Sequence, residues 1–228
     1  PASSSMRTTE TQIEYHSGNA NLSFTPRLPE DHSLNVMAGW NIEHKRARNT
    51  RMGRDGFIVD GKPNYSLMNG IDYVLEDANS YDWGFVGIFY RASYAYKGKY
   101  LAELSGRYDG SSKFPSNERW GFFPSASVGW RMSEENFMKD ISWINNIKWR
   151  FSIGKAGNGN VSPYKYMELL GFNKAGVIVD GSQRTYTSAP SSVLPANLTW
   201  ETSSTINLGL DVNLLNNRLS SVGDISQK

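Results

Sequence analysis

The chain has 228 residues, no cysteine, 24 lysine and arginine residues against 22 acidic residues, and 39% hydrophobic residues. The absence of cysteine excludes a disulfide scaffold, a thiolate metal site and a cysteine nucleophile. Three widely spaced histidines give no zinc-site pattern, so we expect no metal and no cofactor. A net charge of +2 gives no broad electrostatic case for nucleic acid as a partner. No run of 18 apolar residues is present, so no transmembrane helix is predicted.

Apolar and polar residues alternate with a period of two along much of the chain, which is typical of strands with two different faces. The clearest early run is 33–43, where Leu34, Val36 and Trp40 lie between polar neighbours. Similar runs, one weaker and earlier in the chain, lie at 13–24, 85–96, 100–109, 122–131, 147–154 and 205–213. The sequence therefore predicts an all-β fold with room for eight or nine strands.

The connectors between the predicted strands alternate in length. Short connectors are expected at 26–31, 97–99 and 215–218, and long loops at about 44–82, 110–121 and 155–199. In the medium connector 132–146, Ser133 followed by two glutamates predicts a short helix. This alternation indicates antiparallel neighbours, with long loops at one end of the sheet and short turns at the other.

A membrane β-barrel and a soluble β-sandwich both show this alternation, and three features favour the barrel. The strands are close to the roughly 9–11 residues that a tilted membrane strand needs. Aromatic residues such as Trp40, Tyr100, Trp130 and Trp149 lie near strand ends, as in interfacial girdles. Short turns alternate with long loops, as in outer-membrane barrels. The prediction is an antiparallel transmembrane β-barrel, with the sandwich kept as an alternative.

Residues 108–140, with the sequence YDGSSKFPSNERWGFFPSASVGWRMSEENFMKD, resemble the SusC/RagA-like TonB-dependent outer-membrane transporters. Three further runs resemble that family in the same order: HSLNVMAGWNIE at 32–43, INNIKWRFSIGKAGNGN at 144–160 and LTWETSSTINLGLDVNLLNNRLS at 198–220. The resemblance covers most of residues 10–220.

The resemblance implies a 22-stranded barrel in the bacterial outer membrane that surrounds an N-terminal plug. It implies import of oligosaccharides or peptides, energised by an inner-membrane TonB complex, with a SusD-class surface lipoprotein as partner. It also implies that the long loops face outside and the short connectors face the periplasm.

The chain has room for fewer strands than that barrel and carries no segment resembling the plug. We therefore expect residues 1–220 to be a section of a larger barrel in contact with outer-membrane lipid. Residues 221–228 are polar and are expected to form a tail of doubtful structure.

Aromatic residues predicted on the long loops are candidates for contact with a sugar or peptide substrate. An aromatic ring suits the apolar C–H face of a sugar, although loop packing or lipoprotein contact is the more common reason for any one such residue. The candidates are Trp120, Tyr65, Tyr73, Trp83, Tyr164, Tyr166 and Tyr186.

Charged residues on the polar face of the predicted strands are candidates for lining a transport path or holding the plug. They are Glu103, Arg107, Asp109, Arg131 and Arg150. The first long loop has basic residues such as Lys45 and Arg46 early and acidic residues such as Asp82 late. That split predicts either docking of a lid or an anionic substrate, or, as the more common explanation, salt bridges within the loop or a solvated face that meets anionic outer-leaflet lipid.

No catalytic constellation is present in the sequence, since no histidine can be tied to a serine and a carboxylate. The sequence predicts an outer-membrane importer and no enzyme. A passive porin-like barrel and a soluble carbohydrate-binding β-sandwich stay as alternatives, and the residues suit glycan and peptide substrates equally.

Overall fold

The computed structural model describes residues 5–55, 73–76, 80–167, 171–179, 182–188 and 198–228. The strands in these ranges are β1 (Ser5–Phe24), β2 (His32–Asp55), β3 (Tyr73–Glu76), β4 (Tyr81–Tyr96), β5 (Tyr100–Ser111), β6 (Trp120–Arg131), β7 (Ile144–Asn158), β8 (Gly171–Val179), β9 (Ser182–Ser188), β10 (Glu201–Leu214) and β11 (Leu219–Gln227). Two 3-10 helices, Met132–Glu134 and Asn136–Met138, follow β6. No helix in the described ranges is long and apolar enough to cross a membrane.

The main sheet has the hydrogen-bonding order β1-β2-β4-β5-β6-β7-β10-β11, with β3 paired to β2, so its strands are arranged in the order of the chain. The pairs from β5 to β11 in this order are antiparallel, and β8 and β9 form a separate antiparallel pair. Contacts divide the chain into a first unit, Pro1–Gly18 with Ile42–Phe85, and a second unit, Asn19–Asn41 with Val86–Lys228. The all-β antiparallel prediction is confirmed.

The strands extend further than the alternation of apolar residues indicated. β2 continues to Asp55 and β4 begins at Tyr81, inside the loop expected at 44–82. β8 and β9 lie inside the loop expected at 155–199. These loop boundaries are wrong. A strand continues wherever its backbone has a hydrogen-bonding partner, whereas the alternation of apolar and polar residues marks only the part of the strand that has an apolar face.

Two smaller expectations also change. Residues 221–227, expected in a tail, lie in β11, where Leu219 pairs with Leu214 and Gln227 with Ile206. β11 is exposed along its whole length, and its polar sequence gave no apolar alternation to find. Ser133 makes no capping hydrogen bond, and the connector holds two single-turn 3-10 helices in place of one helix.

The strand register sorts the alternating residues of the second unit onto two continuous faces. Across β5, β6, β7 and β10, the residues Ala102, Val128, Phe151 and Leu208 lie in one row, and their neighbours Glu103, Ser127, Ser152 and Asn207 lie in a row on the opposite side. Since cross-strand partners share a face, the sheet has one apolar face and one polar face.

Large side chains on the apolar face stay exposed. The exposed fractions are 54% for Ile88, 51% for Leu104 and 56% for Val128. In the described part of the second unit, the buried hydrophobic residues are Phe114, Phe123 and Trp200, none of which lies on the apolar face. A soluble sandwich would bury such a face against a second sheet, so the structure favours a face that meets hydrocarbon.

These three buried aromatic residues form the aromatic cluster of the polar face. The ring centroid of Trp200 lies 5.0 Å from that of Phe114 and 5.4 Å from that of Phe123. The indole Nε1 of Trp200 donates a hydrogen bond of 3.0 Å to the carbonyl of Arg119. The cluster therefore ties the β5–β6 loop and the start of β10 to the sheet.

Glycines make the room that the aromatic cluster occupies. A Cβ atom at position 157 would overlap the ring of Phe123, and one at position 159 would lie 2.7 Å from the ring of Trp200. The Gly157-Asn158-Gly159 sequence at the end of β7 thus has a packing role.

We expect Gly157→Val to destabilise the folded receptor by about 1–3 kcal/mol, because the added side chain forces Phe123 out of its position. Denaturant-induced unfolding in detergent, followed by tryptophan fluorescence, measures this loss. Gly223→Ala is the matched control, since a Cβ at that position in β11 meets no atom within 4 Å. Equal stability of the two variants would contradict the packing role.

Glu135 joins two strands at the short-connector end of the sheet. Its carboxylate accepts hydrogen bonds from Tyr100 Oη at 2.6 Å, Lys99 Nζ at 3.1 Å and Trp130 Nε1 at 3.2 Å. These donors, with Tyr100 the strongest, lower the pKa of Glu135 to about 2. The rings of Tyr100 and Trp130 are therefore held by the connector that follows β6.

The lowered pKa of Glu135 predicts a pH-dependent contribution to stability. Because the folded-state pKa lies below the ordinary value of 4.5, the contribution is full above about pH 4.5 and is lost as the pH falls toward about 2. We expect Glu135→Gln to lower the unfolding temperature at pH 7 and to approach wild type near pH 2. Thermal unfolding against pH measures this, with the exposed Glu134→Gln as control. A difference that persists unchanged at pH 2 would refute the assignment.

Candidate functional site

The polar face of the second unit carries charged residues that are paired with one another. The guanidinium of Arg107 bonds to Asp109 through Nη2 at 2.9 Å and Nε at 3.1 Å, and to Asn41 Oδ1 at 3.0 Å. Asp109 is 7% exposed. A Cβ at position 87 would overlap Asp109, so Gly87 makes the room for this group.

A second ion-paired group joins β7, β10 and β11. Arg150 bonds to Asp211 through Nη2 at 2.8 Å and Nε at 3.0 Å, and its Nη2 also bonds to Asp224 at 3.1 Å. A Cβ at position 209 would lie 2.5 Å from the Asp224 carboxylate and 2.9 Å from the Arg150 guanidinium. Here again a glycine on the polar face makes room for a charged pair.

A groove of about 610 Å³ runs over this face. Hydroxyl and amide side chains supply much of its polar lining, among them Ser93, Ser125, Ser127 and Asn207, together with Glu103 and Arg150. Ser93 Oγ donates to Glu103 at 2.9 Å, and the buried Oδ1 of Asn207 has no hydrogen-bond partner among the described residues. The groove can therefore exchange hydrogen bonds with a polar molecule.

The five charged candidates follow the predicted alternation. Glu103, Arg107 and Asp109 share one side of β5, and Arg150 lies opposite Gly209 on the same face. Arg131 is exposed at the end of β6, where its backbone amide donates to the carbonyl of Lys99 at 2.8 Å. Their role in a path or in holding a plug stays a prediction.

Four aromatic candidates, Trp83, Trp120, Tyr73 and Tyr186, lie in strands and not in loops, which corrects their predicted position. Trp120 begins β6 and pairs with Gly110, so its ring lies on the apolar face. There it stacks on Tyr108 with ring centroids 4.9 Å apart. This geometry favours a membrane-interface position over substrate contact. Trp83 is a half-buried residue of β4 in the first unit.

The remaining aromatic candidates divide by location. Tyr164 and Tyr166 lie in the turn after β7, where Tyr164 has a positive φ of 63° and its carbonyl accepts a hydrogen bond from Met167. Tyr73 and Tyr186 belong to β3 and β9, and their side chains lie outside the described part of the structure. Tyr65 lies outside the described residues altogether.

The charged segment of the first unit contains internal pairs. Asp82 accepts a hydrogen bond from Arg46 Nε at 2.9 Å and lies 2.7 Å from His44 Nε2. The ring of His44 stacks on that of His16 at 6.5 Å. These contacts favour the salt-bridge interpretation of the split charge. The described residues contain no group of three histidine or acidic side chains that could hold a metal ion.

An antiparallel sheet with a hydrocarbon-compatible face and an ion-paired polar face defines a section of a membrane β-barrel. Residues 2–225 match the family model described as TonB dependent receptor-like, beta-barrel, and the chain belongs to that family. Its place is the bacterial outer membrane.

Two curated relatives illustrate the relationship. The TonB-dependent receptor P3 of Formosa agariphila is 34% identical over 82% of this chain and 18% of its own length. The TonB-dependent receptor SusC of Bacteroides thetaiotaomicron is 35% identical over 59% of this chain and 14% of its own length. The resemblance to the SusC-type family is thereby confirmed. These relatives are receptors, which agrees with the prediction that the protein is not an enzyme.

The solved RagAB peptide transporter has the same fold, with a TM-score of 0.82 and 21% identity over 97% of this chain and 24% of the solved chain. The chain thus spans less than a quarter of the length of the relatives and of the solved structure that it matches.

The ion-paired groups predict unequal effects of removing two arginines. We expect Arg107→Gln to cost about 1–3 kcal/mol of folding stability, because it leaves the buried Asp109 without its cation. Arg91→Gln is the control, because the Arg91–Glu103 pair is more exposed and longer, at 3.6 Å, and should contribute roughly 0–1 kcal/mol. Denaturant unfolding of the two variants measures the difference. An Arg91 effect equal to or larger than that of Arg107 would contradict the assignment.

Proposed function

We propose that the polypeptide containing this chain imports oligosaccharides or peptides across the outer membrane, with energy from a TonB complex. The observation that carries the proposal is the two-faced sheet of a TonB-dependent receptor barrel, whose polar face holds a groove rich in hydroxyl and amide groups. One relative is the receptor SusC, and a protein of the same fold is a peptide transporter.

The proposed orientation follows from the connectors. The long connectors would face outside and capture substrate under a SusD-class lipoprotein, and the short connectors at 97–99 and 215–218 would face the periplasm. TonB would act through a plug region that this chain does not contain. Movement of that region would open a path along the polar face.

Paired charges suit this role. Arg107 and Arg150 are each neutralised by carboxylates within 3.1 Å, and hydroxyl and amide groups together with Lys148 line the groove that a passing substrate meets. A polar substrate can exchange hydrogen bonds with these groups. Sugar hydroxyls and peptide amides both have this chemistry.

The first test separates active import from a passive porin. We expect uptake by the full-length receptor in its native host to fall to the background level when TonB is inactivated, because a plugged barrel needs that energy to open. Uptake of labelled oligosaccharides and of labelled peptides of matched size measures this. A receptor-deleted strain sets the background.

The outcomes are distinct. Uptake that depends on the receptor but not on TonB would replace the proposal with a porin-like pore. Dependence on TonB for only one of the two labelled probes would identify the substrate class.

A further inference from the structure

A groove of about 400 Å³ lies on the apolar face, near the short-connector end of the second unit. Ala102 and Val128, which are cross-strand partners, form its floor. Tyr94, Tyr100, Trp130 and Trp149 stand around them. The small residue Ala102 among large rings leaves a recess in a surface that would otherwise be filled by side chains.

Hydrogen bonds hold the rings that surround this groove. Tyr100 Oη and Trp130 Nε1 both donate to Glu135, at 2.6 and 3.2 Å. Tyr94 Oη lies 2.7 Å from the ring nitrogen Nδ1 of His32, at the start of β2. Each of these polar atoms is engaged on the short-connector side. Arg150 also lines the groove, but its guanidinium is bonded to Asp211 and Asp224, so most of the groove wall is apolar surface.

Two further observations indicate what occupies the groove. The apolar face of an outer-membrane barrel meets hydrocarbon, and no described side chain of the second unit fills this recess. The polar groups Lys99, Glu135 and His32 lie at one end of it, as the headgroup region of a lipid would require. Tyrosine and tryptophan rings with one apolar and one polar end are typical of that boundary.

We propose that this groove is a lipid site that binds one acyl chain of a phospholipid from the periplasmic leaflet. The ring walls and the Ala102–Val128 floor provide a shaped surface against which a chain packs more closely than against a smooth sheet. The choice of leaflet rests on the orientation given under the proposed function, whereas the existence of the site does not depend on transport.

The test uses the full-length receptor, purified in mild detergent, stripped of lipid and titrated with dipalmitoyl phosphatidylethanolamine. Native mass spectrometry counts the bound lipid. We expect Ala102→Phe, which fills the floor of the groove, to reduce occupancy at least tenfold. Ala38→Phe adds the same ring at an exposed position of β2 and should bind lipid as the wild type does.

Heat-modifiable migration in gel electrophoresis verifies that each variant is folded. If Ala102→Phe does not fold, Val128→Phe fills the groove from the neighbouring strand. Equal lipid occupancy in the groove-filling variant and in Ala38→Phe would overturn the proposal. Two further results would overturn it. One is that the receptor retains lipid A and no phospholipid, and the other is that filling the groove changes the oligomeric mass of the receptor but not its bound lipid. Lipid binding is measured independently of uptake, so the lipid result can be interpreted even if the import proposal fails.

Discussion

Large apolar side chains cover one face of the sheet in the second unit and stay about half exposed, so this face needs an apolar solvent. The other constraints follow from that one. Backbone groups that lie in hydrocarbon must be bonded within the protein, and in the second unit the antiparallel pairing of β5, β6, β7, β10 and β11 supplies those bonds.

The polar face is under a different constraint, because charged and aromatic side chains must pack there over the neighbouring strands. Gly87 makes room for the Arg107–Asp109 pair, and Gly157 makes room for Phe123. Each glycine removes a side chain where a larger group from a neighbouring strand crosses. The face that remains holds a groove lined by hydroxyls, amides and charged side chains, which suits the import proposed above.

Much of this architecture could be predicted from the alternation of residue types. The run at 100–109 indicated β5 and placed Glu103 and Arg107 on one side, because side chains alternate regularly along a strand. The polar second half of β2 and the whole of β11 could not be found in this way, since neither has an apolar face. Backbone pairing with a neighbouring strand defines them, and a single sequence does not display that pairing.

The candidate aromatic residues show the same limit. The sequence predicts Trp120 in a long loop, but its pairing with Gly110 places it in β6, on the apolar face beside Tyr108. Phe114 and Trp200 were not singled out, although glycines at 121, 157 and 159 are the signal of rings packed against a strand. Loop aromatics pack where space exists, and that space is set by residues distant in the chain.

The central claim is that the two faces of one strand meet different solvents, and the absence of cysteine from the chain allows a direct test. Single cysteines at Ala102, Glu103, Leu104 and Ser105 of the full-length receptor, freed of any cysteine elsewhere, would be spin-labelled in lipid bilayers. Collision with oxygen and with an aqueous nickel chelate would then be measured at each position. The account predicts that labels at 102 and 104 collide with oxygen. Labels at 103 and 105 should collide with the nickel chelate or be shielded from both oxygen and the chelate. Chelate contact at 102 and 104 would contradict it.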